Sequence, residues 1–285
     1  MVSEELEVNE ALQNISIRAV ETDLGEFIVQ LAGEKPSHII APAIHKSRRE
    51  VANLFRDKLN ATDADVANVP NMTALARRKL RTEFLQAGMG ISGANFGVAE
   101  NGSICLVTNE GNGRMVTSLP PVHIALMGIE RLVPDLEGLA TILTVLPRSA
   151  TGQIATVYTQ LISKPRQEGE IDGAPERHLV LIDNGRTSLR QTPLAEALNC
   201  IRCGACLNTC PVYRAIGGHA YGRVYPGPIG ALLTPLLCFH DPRVSVAFRK
   251  QMDVALDFAE RWNGAANGHI RTALCPHATN TLDAN

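Results

Sequence analysis

The residues best equipped for chemistry are cysteines. Four of the seven in this chain, Cys200, Cys203, Cys206 and Cys210, fall in one run that ends in Pro211. The pattern is C-x2-C-x2-C-x3-C-P, the bacterial ferredoxin spacing for a [4Fe–4S] cluster, in which the fourth cysteine usually serves a second cluster. Thiolates three residues apart can wrap one cluster in two tight turns. Pro211 stops a helix from running through Cys210 and turns that residue away. Gly204 lets the backbone pass close to inorganic sulfide with no Cβ in the way.

Zinc and disulfides are the alternatives. Structural zinc prefers two C-x2-4-C pairs held well apart, unlike three closely spaced cysteines followed by C-P. Disulfides fit less well. The chain starts with an acidic segment that lacks signal-peptide features, and seven cysteines is an odd number. A reducing, cytoplasmic compartment is the expectation.

The chain has 285 residues, 45% of them hydrophobic and 4% aromatic, which suits one ordinary globular domain with a smaller appendage. Lys plus Arg number 27 against 29 Asp plus Glu, for a formal charge of −2. That balance does not favour nucleic acid as a main partner. The one basic cluster, Arg77, Arg78, Lys79 and Arg81, lies in a helical pattern and reads as a solvated face. No apolar run approaches the ~20 residues needed to span a bilayer. No direct membrane span is expected, and any link to a membrane runs through a partner.

The elements that must position the cysteines follow from periodicity. Asp23 to Leu31 reads as a short amphipathic helix with Asp23 at its start. His38 to Ala41 reads as a brief strand. Val51, Leu54, Phe55 and Leu59 share one face of a helix over Lys46 to Leu59. Thr73 to Ala87 repeats the pattern, with Gly88 as its stop. Asn95 to Glu100 and Ser103 to Asn109 read as strands joined by a tight turn at Asn101 and Gly102. Val122 to Met127 is β-rich, and Asp135 caps a helix to Leu146. Ile154 to Ile162 alternates, Lys164 to Pro175 is a polar loop, and His178 to Asp183 reads as a buried strand before a turn at Asn184 and Gly185. Mixed elements to this point indicate an α/β layer domain. From Pro193 the pattern is helical, with Leu194, Ala197, Leu198 and Ile201 on one face leading into the cysteine run. The cluster is therefore expected at helix ends. Gly217 to Gly222 and Tyr225 to Gly230 read as loop, Val244 to Trp262 as helix, and the last twenty or so residues as frayed.

Other constellations are weaker. Gly88, Gly90 and Gly93 fit G-x-G-x-x-G, but they follow a helix and precede a strand, the reverse of a dinucleotide fingerprint. They read as a helix stop and loop. Glu110, Gly111, Asn112, Gly113 and Arg114 follow a strand and offer backbone amides plus one guanidinium, which suits a carboxylate or phosphate. The alternative is a glycine-rich turn with Arg114 in a surface salt bridge. Glu100 is a candidate partner acid, or simply solvated. His38, His45 and His123 are scattered. His45 beside Lys46 could face a ligand, whereas His123 reads as a core histidine. His219 could donate to a cluster sulfide, and Cys105 reads as a small buried hydrophobe. No Ser/His/Asp or Cys/His nucleophile arrangement is legible.

The strings ETDLGEFIVQL, MGISGANFGVAE, LVTNEGNGR, LPRSATGQ, LVLIDNGR and CIRCGACLNTCPVYRAIGGHAYG resemble the B-type iron–sulfur subunit of the bacterial lactate-utilisation system. The resemblance runs from about Glu21 to Leu237. It implies a lactate-utilisation α/β domain, with a fold like ribose-phosphate isomerases and CoA transferases, over residues 1–190. It then implies a small α-helical ferredoxin-like domain over 191–285. It implies two [4Fe–4S] clusters, and action with partner subunits in oxidising L-lactate to pyruvate.

The sequence departs from that pattern at both ends. Members usually carry a long N-terminal extension and a second C-x2-C-x2-C-x3-C-P run after the stretch matching LLTPLL. Here Cys238 follows, with no second run, so the chain is expected to be a truncated member. In a two-run protein Cys200, Cys203 and Cys206 would share a cluster with the last cysteine of the other run, and Cys210 would serve the second cluster. With one run, one cluster is expected. Its fourth ligand would be Cys275, which precedes Pro276, or failing that Cys238. Otherwise the cluster would be held by three cysteines or lost.

The expected function is an iron–sulfur electron-transfer subunit, with the two-electron step elsewhere, since no flavin or nicotinamide motif is legible. The alternatives are an α/β domain that binds a carboxylate, phosphate or thioester, or a non-functional fragment. The donor, the acceptor and any quinone pathway are not legible.

Overall fold

The computed structural model describes residues 2–222 and 224–233. The chain divides into two units. One comprises Met1–Asp183 with Ile201–Ala205, and the other Asn184–Cys200 with Cys206–Asn285. The helix expected over Val244 to Trp262, and Cys238 and Cys275, lie outside the described residues.

The first unit begins with short helices α1 (Val2–Glu5) and α2 (Val8–Asn14), then α3 (Leu24–Ala32), α4 (Arg48–Leu59) and α5 (Val69–Gln86). Local chemistry sets their starts. Asp23 Oδ1 accepts from the amides of Gly25 at 3.0 Å and Glu26 at 3.1 Å, filling two of the donors a helix start leaves open. Ser47 and Glu50 form a reciprocal capping box on α4. Asn68 caps α5 with a proline in its first turn, so this helix starts earlier than the apolar pattern from Thr73 suggests. Phe27, Phe55, Met72, Leu75, Leu80 and Phe84 bury one core between these helices.

Strands β1 (Met89–Gly93), β2 (Phe96–Val98) and β3 (Ile104–Thr108) follow, then α6 (Asn112–Ser118), β4 (Val122–Gly128), β5 (Leu132–Val133), α7 (Leu136–Thr151), β6 (Tyr158–Ile162) and β7 (Glu176–Ile182). They form two sheets. One is all parallel in the order β1-β4-β7, and the other is mixed, in the order β5-β2-β3-β6. The β2–β3 hairpin turns through Asn101 and Gly102, where Gly102 takes φ +70° and Asn101 Oδ1 accepts from the Ser103 amide at 3.0 Å. Ala94, Ile104, Leu106, Ala125 and Met127 form a core shared by the two sheets. Phe96, Val98, Cys105, Val133, Leu139 and Leu146 form a second core beneath α7. Asp135 caps α7 through the Gly138 amide at 2.8 Å.

Several expectations are corrected. His38 to Ala41 is not a strand: His38 Nδ1 accepts from the amides of Ile40 at 3.0 Å and Ala41 at 3.1 Å, closing a side-chain-held turn. Gly90 and Gly93 belong to β1, not to a loop. A Cβ at Gly90 would lie 2.0 Å from the Val116 carbonyl oxygen, so glycine is what lets α6 approach β1. β7 is not buried. Leu179, Val180 and Leu181 are 37%, 43% and 49% exposed, because the strand lies at the end of its sheet order.

The second unit contributes α8 (Arg186–Leu189), a 3₁₀ turn over Ala195–Asn199, α9 (Ala205–Thr209), α10 (Pro211–Ile216), a 3₁₀ turn over His219–Tyr221 and α11 (Gly227–Leu233). The apolar face expected from Leu194 to Ile201 thus yields only a 3₁₀ turn. Gly227, expected in a loop, instead starts a helix.

Candidate metal centre

The unit boundary runs through the cysteine run. Cys203 belongs to the first unit, while Cys200, Cys206 and Cys210 belong to the second. All four are thiols rather than disulfides. Cys200 ends the 3₁₀ turn, Cys206 lies in α9, and Cys210 is the N-cap of α10. These are helix ends, as the spacing suggests.

The local chemistry fits an iron–sulfur centre. Cys210 Sγ accepts from the Tyr213 amide at 3.4 Å, the kind of N–H···S bond that steadies a thiolate. Gly204 adopts φ +74°, and Arg202, a non-glycine residue, adopts φ +60°. Two left-handed residues flank Cys203 and wind the chain tightly there. A Cβ on Gly204 would sit 3.2 Å from Ile40 Cγ1 and 3.3 Å from His38 Cε1, so glycine also answers to packing inside the first unit.

Ile201 and Cys203 pack against the core of Phe96, Val98, Cys105, Val133, Leu139 and Leu146. Between them Arg202 Nη2 reaches Glu130 Oε1 at 3.2 Å, and Arg131 Nε lies 3.7 Å from the same oxygen. Glu130 stands in a 3₁₀ turn over Ile129–Arg131. Sequence reading missed Glu130, which lies 72 residues before its partner. Only the odd placement of an arginine between two metal-type cysteines hinted at it.

The Glu110–Arg114 segment splits between a bend and the first turn of α6, which starts at Asn112. Arg114 forms an ion pair with Asp172. Glu110 accepts from the Leu24 amide at 3.2 Å, and burial, with Asp23 nearby, raises its carboxyl above the usual range. The surface salt bridge weighed for Arg114 is therefore present. Glu100 is exposed.

The histidines divide. His45 Nδ1 lies 2.7 Å from Ser37 Oγ and Nε2 2.7 Å from Glu34 Oε2. His123 is a core histidine, as expected, 1% exposed, with Nε2 2.8 Å from Ser92 Oγ. Burial, with Arg177 adding repulsion, pushes its ring down to about 4. His219 sits in the second unit's 3₁₀ turn. Cys105 is fully buried, and burial pushes its thiol up to about 11, as for an inert core residue. Of the basic cluster, Arg77, Arg78, Lys79 and Arg81 are all exposed, with Arg78 paired to Asp65 at 2.6 Å. Among the described residues no helix is long and apolar enough to cross a membrane.

Residues 2–182 match the LUD domain. The chain belongs to the LUD domain family. Residues 196–241 of this LUD protein match a 4Fe-4S dicluster domain, which brackets the cysteine run. It is 52% identical over 238 residues to lactate utilization protein B of Shouchella clausii, covering 83% of this chain and 50% of that one. It is 50% identical over 237 residues to the uncharacterized electron transport protein YkgF of Escherichia coli, with the same two coverages. Lactate utilization protein B of Bacillus pumilus is 48% identical over 256 residues, covering 90% of this chain and 54% of the relative. The LUD chain thus spans about half the length of the curated relatives it matches.

Proposed function

We propose that this chain is an iron–sulfur electron-transfer component of a system that oxidises L-lactate to pyruvate. The observation that carries the reading is the run of Cys200, Cys203, Cys206 and Cys210 within the segment matched to a 4Fe-4S dicluster domain, directly after a LUD domain. Two relatives at about 50% identity, one named for lactate utilization and one for electron transport, support the coarser reading of electron transfer in lactate utilisation. We propose one [4Fe–4S] centre in this chain, held by Cys200, Cys203 and Cys206, with Cys275 as fourth ligand. When bound, such a centre passes one electron at a time.

The chain's own residues prepare the site. The Tyr213 amide supports the Cys210 sulfur, and the left-handed residues around Cys203 shape its turn. The two-electron step is assigned to a partner subunit of the lactate-utilisation system, and the compartment to the cytoplasm. The competing reading, a carboxylate, phosphate or thioester binder acting through Glu110–Arg114, is weaker. Its guanidinium and its carboxylate both have partners within the first unit.

Anaerobic reconstitution tests the proposal. Wild-type protein should hold iron and acid-labile sulfide, with visible absorbance that dithionite bleaches. Cys203→Ser should lose most of that absorbance, and Cys275→Ser should lower iron content. Wild-type protein that takes up no iron, or that binds a single zinc instead, overturns the reading.

A further inference from the structure

We propose that Glu130 is a positioning residue for the metal centre, acting through Arg202 to hold the turn that presents Cys203. The inference rests on the reading of Cys203 as a cluster ligand and names the part of the LUD domain that seats it.

Among the described residues, contacts within the first unit hold this segment. Ile201 and Cys203 pack against the Phe96–Leu146 core beneath α7. Gly204 lies close against His38 and Ile40. Between these apolar anchors the Arg202 guanidinium meets Glu130 at 3.2 Å. The side chains are 12% and 4% exposed, so this is a buried ion pair and not a screened surface contact. Arg131 Nε also lies 3.7 Å from this Glu130 oxygen, so removing Glu130 takes a shared counter-charge from both guanidinium groups in a low dielectric. Arg202 also holds φ +60°, which any Cβ disfavours, so the surroundings must supply what keeps it there.

The consequence is electrostatic as well as geometric. Arg202 lies one residue from Cys203 and two from Cys200. Its charge favours the more electron-rich, reduced state of a neighbouring centre, and Glu130 offsets that charge. Glu130→Gln should therefore raise the midpoint potential of the centre, because the guanidinium loses its counter-charge. Arg202→Gly suits the left-handed backbone, and it should lower the potential, because the positive charge next to Cys203 is gone while Glu130, still beside Arg131, remains. Opposite shifts from the two ends of one contact are not what a merely structural defect produces.

The experiment compares reconstituted wild type, Glu130→Gln, Arg202→Gly and Arg56→Ala, the last breaking an exposed ion pair with Asp63 elsewhere. Each is read for iron and sulfide content, midpoint potential by redox titration, the EPR signal of the dithionite-reduced state, and rate of iron loss to a chelator. Residues that orient metal ligands typically change affinity by about 10–100-fold. Iron loss should accelerate by about tenfold or more in both loop variants, with potential shifts of opposite sign and an altered EPR line shape. Arg56→Ala should match wild type. If wild type holds the centre and both loop variants match it in potential, EPR and iron loss, the positioning role is wrong while the metal centre stands. Potentials that move in the same direction also overturn it. If wild type itself takes up no iron, the underlying reading fails and this inference with it.

Discussion

His123 Nε2 and Ser92 Oγ lie 2.8 Å apart across neighbouring parallel strands, with the ring 1% exposed. The ring's other nitrogen, Nδ1, has no hydrogen-bond partner among the described residues. This is a nucleophile-and-base pair in outline. Burial argues for a core role, because a ring pushed down to about 4 is a weak base at neutral pH.

That shift predicts an acid weakness. The ring's ordinary value is 6.5 and its folded value about 4, so the unfolded chain takes up the proton first as pH falls. Stability is fully present above about 6.5, drains between 6.5 and 4, and loses nothing further from this group below that. The loss amounts to about 3 kcal/mol at most. Urea denaturation at pH 7 and pH 4.5 should show a larger drop in wild type than in His123→Gln. Equal drops would remove His123 as the cause.

Glu26 predicts the opposite slope. Burial, with Glu21 and Asp23 adding repulsion, pushes its carboxyl from 4.5 up to about 7. The folded state favours the protonated form, so stability is present below about 4.5 and is lost as pH rises through 7. Glu26→Gln should be more stable than wild type at pH 8, by about 1 kcal/mol once solvent screening is allowed for, and nearly equal at pH 4.5. Thermal melts at the two pH values decide it.

Gly90→Ala should destabilise the first unit. The added methyl would meet the backbone oxygen of Val116 at 2.0 Å, and backbone cannot swing aside as a side chain can. Overpacking of this kind costs about 1–3 kcal/mol. Gly88→Ala, where a Cβ meets nothing within 4 Å, is the matched control and should unfold at nearly the wild-type denaturant concentration.

Arg114→Ala should cost under about 1 kcal/mol, since its ion pair with Asp172 is half exposed and screened by solvent. The same variant examines the ligand-loop alternative. Calorimetric titration with L-lactate or inorganic phosphate that is unchanged by Arg114→Ala would remove this guanidinium from any binding site. Affinity lost with the side chain would revive the loop as an anion site.

What the sequence by itself determined was local. Cysteine spacing, the caps at Asp23 and Asp135, and the Asn101–Gly102 turn each depend on atoms a few residues apart, so adjacency in the chain is enough to encode them. Only the tertiary structure decided the rest. It made His38 the keystone of a turn instead of a strand residue. It left the apolar strand Glu176–Ile182 at a sheet edge, because strand order depends on pairing between distant segments. It also joined Arg202 to Glu130 and seated Cys203 against the Phe96–Leu146 core. Burial and ion pairing across 72 residues arise from the packing of whole elements, which no spacing or period along the chain records.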